Sequence, residues 1–196
     1  MLRLTIVLIV TALPFVSLRA EAIRFKVDKA HTSINFKVRH MMVTTVVGTF
    51  HNFDGWIDLD TSDITRSRAE GWVDVASIDT RNKKRDDHLR DSDFFDVQKY
   101  PRMKMVVKRI YKKGGEWWAD ADLTIKGITK TVSFPFKWYG PVKDPWGNLR
   151  IGVEASFTID RYDFGIRWNK KMETGGLVVG RKVKVELNVE AIHRGK

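Results

Sequence analysis

The stretch Leu149–Asp160, LRIGVEASFTID, alternates with a period of two. Leu149, Ile151, Val153, Ala155, Phe157 and Ile159 share one parity, while Arg150, Glu154, Ser156, Thr158 and Asp160 share the other. Successive side chains of a strand point to opposite faces, so this is a strand with one buried face. The pattern recurs at Val183, Val185, Leu187, Val189 and Ala191 against Lys184, Glu186, Asn188 and Glu190. It recurs again at Ile34, Phe36 and Val38 against Asn35, Lys37 and Arg39, a row that His40 continues on the inward side. Further strands are expected over residues 48–59, 67–78, 103–111, 116–126 and 129–139, with turn signals at 52–55, 114–115 and 144–147. Residues 82–91 are charged and continuous, with Leu89 as the main apolar position. They read as a short helix in a crossover, capped by Asp79 or Thr80.

Strands that are apolar on one face must bury that face against a second sheet or against their own sheet curled shut, and closure also removes exposed edges. The fold class expected is therefore all-β, a single extended antiparallel barrel of eight strands with one short helix in a crossover; a sandwich is the alternative. Arg3, the apolar run from Leu4 to Leu18 and the Ala20-Glu21-Ala22 sequence have the form of an export signal. Residues 1–22 are thus expected to be removed after Ala22, leaving one domain over 23–196 and a periplasmic or secreted protein. The apolar run of 15 residues contains Pro14 and falls short of the ~20 needed to cross a bilayer. With no cysteine in the chain, an exported protein of this size rests on its core alone.

The whole chain carries a formal charge of +11; Arg3, Arg19 and Glu21 of the leader contribute one net positive charge, leaving +10. Such a balance suits anionic surfaces or phosphate groups. Nucleic acid is not the expected partner, because the lysines alternate along strands without forming a dense block. The five histidines, His31, His40, His51, His88 and His193, show no tight ligand spacing, so no metal site is expected. Nor is there a G-x-S-x-G elbow, a phosphate loop or a dinucleotide fingerprint, and neither catalysis nor a cofactor is expected.

A more specific signal lies in the ordered block Ser77-Ile78-Asp79-Thr80, Arg85-Asp86-Asp87-His88-Leu89, Asp93-Phe94-Phe95-Asp96-Val97 and Tyr100-Pro101. It is joined by Asp28-Lys29-Ala30-His31-Thr32, Gly48-Thr49-Phe50, the run from Leu123 to Lys130, and Arg161-Tyr162-Asp163-Phe164-Gly165. On these residues, which span nearly all of 23–196, the chain resembles the YceI-like family. The departures are modest: Tyr162 stands where the family often has a smaller polar residue, and Met41-Met42 makes the start of the second strand, residues 41–45, methionine-rich. The resemblance implies a lipocalin-like eight-stranded barrel, secreted or periplasmic, whose elongated cavity accommodates polyisoprenoids; it also suggests a homodimer.

The residues expected to line such a cavity are Phe36, Val38, His40, Phe50, Phe53, Trp72, Phe94, Phe95, Met105, Phe134, Phe136, Phe157, Phe164 and Trp168, with Arg85 and His88 holding a polar or pyrophosphate head group at its mouth. The ligand expected is an isoprenoid lipid, of the isoprenoid quinone or polyprenyl phosphate type. The competing account of the same residues is a barrel packed shut, whose basic surface or tip aromatics bind a membrane or a protein. Trp117-Trp118 and Trp146 sit at hairpin tips beside Lys112 and Lys113, where transient contact with a membrane surface is expected.

Overall fold

A computed structural model of the chain describes residues 22–173 and 175–195. The expected leader lies outside them save for Ala22. The strands are β1 (Ile23–Val27), β2 (Ser33–His40), β3 (Thr44–Phe50), β4 (Phe53–Leu59), β5 (Arg68–Asp74), β6 (Ile78–Asp79), β7 (Arg102–Lys113), β8 (Glu116–Ile125), β9 (Ile128–Lys143), β10 (Leu149–Asp160) and β11 (Val179–His193), with one helix, α1 (Lys83–Arg90), between β6 and β7. Neighbouring strands run β1-β4-β5-β7-β8-β9-β10-β11, and β11 returns to β1, closing an eight-stranded antiparallel barrel as the alternation predicts.

The additional segments arise because three courses of the barrel are bent. β11 pairs with β1 through Ala191 and Ile192 and with β2 from Val179 to Asn188, so β1 and β2 are successive parts of one wall. At the break between them Thr32 stands in for a strand partner: its hydroxyl donates to the Glu190 carbonyl and accepts from the Glu190 N–H, both at 3.1 Å. The expected turn at 52–55 is not a hairpin. The chain bends at His51–Asn52, where Asn52 N–H donates to the Ser77 hydroxyl at 3.0 Å, and continues as β4. The sequence reading also passed over β1, a five-residue strand adjoining the expected leader.

The helix forms as expected, but its cap is Asn82, whose side chain accepts from Arg85 N–H at 3.0 Å; Asp79 instead turns to Arg81 N–H at 2.6 Å. Asp86 is buried under it and accepts from the N–H and hydroxyl of Thr80. Arg90 donates to the carbonyls of Ala76 and Ile78, both at 2.8 Å. These contacts fasten α1 across the barrel end that also carries the β2–β3 and β8–β9 turns.

At the opposite end Arg150 donates to Asp28 and Asp144, each at 2.8 Å, and to Glu190, tying the β1–β2 bend, the β9–β10 turn and β11 together. Hydrogen bonds from Arg150 and then His31 lower the Asp28 pKa to about 2. At Asp144 burial acts in the raising direction, but bonds from Asn148 and Arg150 outweigh it and bring that pKa also to about 2. Carboxyls depressed below the ordinary value of roughly 3.9 stabilise the fold above that pH, and this contribution is lost as pH falls toward about 2. Arg150→Gln is therefore expected to lower the melting temperature at pH 7 and to flatten its decline between about pH 4 and pH 2. Parallel melting curves of the variant and the natural chain would contradict this.

Candidate ligand-binding cavity

The inward row of β10 identified from its alternation points into the barrel: Ile151, Ala155, Phe157 and Ile159 are buried. It meets Val185 and Leu187 of β11 and Phe136 of β9 in register. A large apolar cluster including Phe50, Phe53, Phe94, Phe134, Phe157 and Phe164 fills the helix-bearing half, and Phe25, Leu59, Ile151 and Ala191 close the other end. Between them lies a cavity of about 320 Å³, lined almost wholly by apolar side chains. That volume falls within the range of small-molecule sites, roughly 300–1,000 Å³.

The cavity separates this barrel from one packed shut. Ile34, Phe36, Val38, Val183, Val185 and Leu187 face inward yet are only half-buried, whereas side chains in a close-packed core would be fully covered. Small residues make the room. Ala119 and Ala155 line it, as does Gly71, which stands opposite Gly55 across β4 and β5. Near the helix end Phe36 lies across its register partner Gly48, where a Cβ would overlap its ring, and its centroid is 5.7 Å from that of Phe50.

Of the residues expected at the site, Phe36, Val38, Phe50, Phe53, Phe94, Phe95, Met105, Phe134, Phe136, Phe157 and Phe164 are brought together along this cavity. Five placements differ. Trp72 belongs to the wall, but it falls on the parity of Glu70 and Asp74, its register partners are Asp54 and Lys104, and the Arg102 guanidinium covers its ring at 4.2 Å; it faces outward. His40 keeps the inward parity and pairs with Thr44 and Val179, but it is not itself among the residues that line the cavity. Trp168 packs against the cluster's outer side, against Phe94 and edge-on to His88. Arg85 is turned to Thr80, with its Nε 2.7 Å from the hydroxyl and its Nη2 2.8 Å from the carbonyl. His88 pairs with Asp93 at 3.0 Å. Neither Arg85 nor His88 reaches the cavity, because the local fold already engages them.

The charged residue the sequence reading missed is Arg161. It keeps the odd parity of the row that begins at Leu149, as the first residue of the 3-10 turn after β10 (Arg161–Phe164), and it lines the cavity with only 5% of its surface exposed. Its guanidinium donates to the carbonyls of Gly180, Ile166 and Val179 at 2.9, 2.8 and 3.2 Å. Burial draws its pKa below the ordinary arginine value, opposed in part by Tyr162 and Asp160.

Spacing along the chain also missed a grouping of Asp28, His31 and Glu190 whose ligand atoms lie within 4.8 Å of one another. Arg150 is bonded to both carboxylates and supplies the positive charge there. At the tips, Trp117 and Trp118 are half-buried with Lys112 and Lys113 each 4.8 Å from a ring centroid, while Trp146 is exposed.

A closed eight-stranded antiparallel barrel around an apolar cavity defines a lipocalin-like fold. Residues 25–191 match the model of the YceI-like domain, and the chain belongs to that family. It is 39% identical over 168 residues to a UPF0312 protein of Staphylococcus epidermidis, spanning 85% of this chain and 96% of that one, and 36% identical over 167 residues to a UPF0312 protein of Staphylococcus aureus, spanning 85% and 95%. Among solved structures it is similar to the Campylobacter jejuni YCEI protein, at 30% identity, a TM-score of 0.68, and coverage of 86% of this chain and 96% of that one. It shares its fold with a polyisoprenoid binding domain from Saccharophagus degradans at 16% identity, a TM-score of 0.64 and coverage of 88% and 99%.

Proposed function

We propose that the protein is a non-catalytic carrier or scavenger that holds the chain of an isoprenoid lipid, of the quinone or polyprenyl phosphate type, along the barrel axis. The observation that carries this reading is the apolar cavity with half-buried inward side chains. The name of the Saccharophagus relative as a polyisoprenoid binding domain supports it. Each CH₂ equivalent taken from water contributes ~0.8 kcal/mol, so ten carbons contribute roughly 8 kcal/mol before the cost of immobilising the chain. Tail burial alone is enough for useful affinity, which accounts for a site with so few polar groups. The leader fits work in the periplasm, with the mature chain beginning at Ile23.

The test is displacement of a fluorescent apolar probe by a prenol or quinone. Phe36→Asp, which places a carboxylate in the cavity, is expected to abolish binding, while Lys37→Asp, on the outer face, leaves it nearly intact. Equal effects of the two would count against a ligand in the interior.

A second reading, contact with a membrane surface, is favoured by the β2–β3 tip more than by the tryptophans. Met42 and Val43 are 66% and 79% exposed, beside Met41 and Val47, and Arg39 braces the turn through the Met42 carbonyl at 2.7 Å. An apolar tip with an adjacent cation suits an anionic bilayer interface, where a carrier would load.

A further inference from the structure

Arg161 is the single buried cation among the described residues, and no carboxylate among them lies within 4 Å of it. Its neighbour Asp160 has the opposite parity and is held by Arg181 at 2.6 Å and Lys182 at 3.6 Å. The three carbonyls that Arg161 meets accept hydrogen bonds but bring no net negative charge. A guanidinium has five N–H donors, so two are left beyond those three bonds. Asp160 acts on Arg161 only from a distance and is already shared with two exposed cations, so an opposite charge arriving in the same apolar surroundings would offset the cost of burying the guanidinium.

The other charged residues along the cavity wall, Asp54, Arg68, Glu70 and Lys104, are half-buried or exposed, and Glu70 and Lys104 pair with each other at 2.8 Å. Arg161 by contrast opens the short 3-10 turn that follows β10, next to Phe164 and Ile166. Around it the positive charge is reinforced: the guanidinium carbons of Arg161, Arg167 and Arg181 lie 4.9, 6.0 and 4.6 Å from the Tyr162 ring centroid. Asp160 and Asp163 are the acidic groups of this corner, the first already engaged by Arg181.

We propose that Arg161 is the head-group anchor of the cavity and that the ligand is an anionic amphiphile, an apolar chain ending in a phosphate or carboxylate that takes the two remaining N–H donors. This rests on the carrier reading above and narrows it to anionic lipids. Uncharged prenols and quinones would then enter with the tail contribution alone.

The experiment compares geranylgeranyl phosphate, a fatty acid of equal chain length and geranylgeraniol as displacers of a neutral apolar probe from the mature protein, below their aggregation concentrations. At least one anionic lipid is expected to bind about tenfold or more tightly than the alcohol, as charge-assisted hydrogen bonds to a buried cation require. The phosphate and fatty-acid arms tell which head group is preferred. In Arg161→Met the anionic advantage, read as the ratio of the anion's affinity to the alcohol's in the same variant, should collapse to near unity. Should that variant fail to fold, the natural chain still decides: a buried anchor keeps the advantage from roughly 50 to 500 mM salt, whereas attraction to exposed lysines and arginines fades. Equal affinity for the alcohol and both anions, or an advantage that disappears with salt, overturns the anchor. Failure of all three lipids to displace the probe overturns the carrier reading instead.

Discussion

Gly71→Leu is expected to weaken binding of a long apolar chain by about two orders of magnitude while leaving the barrel as stable as before or more so. Gly71 faces the cavity from the inner side of β5, and a Cβ built on it meets no atom outside its immediate neighbours closer than the Asp54 carbonyl oxygen at 3.6 Å, an ordinary contact. The four side-chain carbons of leucine would therefore extend into free space and exclude about four carbons of ligand. At ~0.8 kcal/mol each this is roughly 3 kcal/mol, or about a hundredfold in affinity. Removing a glycine from a strand interior also reduces the freedom lost on folding. Its partner Gly55 offers the control: a Cβ there would sit 2.7 Å from the Glu70 carbonyl oxygen, so Gly55→Leu should destabilise the barrel itself. Probe displacement and thermal melts on the two variants separate the effects. Undiminished binding by a folded Gly71→Leu protein would mean that the lipid chain does not pass this point.

Phe25→Ala is expected to cost about 3–5 kcal/mol in a denaturant titration, the usual range for emptying a buried phenylalanine site. Phe25 is 0% exposed among Leu59, Ile151 and Ala191. It lies on β1, which pairs with both β4 and β11 and so completes the barrel. Phe36→Ala should cost distinctly less, because that ring is half-buried against the cavity and already lacks part of its packing. Losses of equal size would mean that the two aromatics sit in equally filled surroundings, contrary to the division drawn between end plug and cavity wall.

The inner and outer faces of β2, β10 and β11 were legible because alternation over six to twelve residues leaves one assignment. The bends were not. His51–Asn52 carries the polar residues of a turn, yet the side chain of Ser77, distant in sequence, holds it within a continuing wall. Whether the barrel was hollow could not be read either, since a packed and a hollow interior require the same apolar parity. The difference lies in summed volume, and here Gly71, Ala119 and Ala155 supply the room.

The charged residues show the same limit. Arg85 and His88 drew attention because they stand together in a charged run, but their donors are engaged by Thr80 and Asp93. Arg161 keeps the sequence parity of the inward β10 row two places beyond Ile159, in the 3-10 turn that follows the strand, and was passed over because the alternation was followed only to the strand's end. A charge that keeps the parity of a buried face is the signal that finds it. Its lack of a carboxylate partner emerges only when the fold directs Asp160 to Arg181.

The central claim is that the barrel holds a lipid chain, and native mass spectrometry of the protein purified from a bacterial host, with organic extraction of whatever dissociates, tests it most directly. One isoprenoid lipid per chain is the predicted result. Protein that is reproducibly empty and takes up neither added quinones nor polyprenyl phosphates would contradict it.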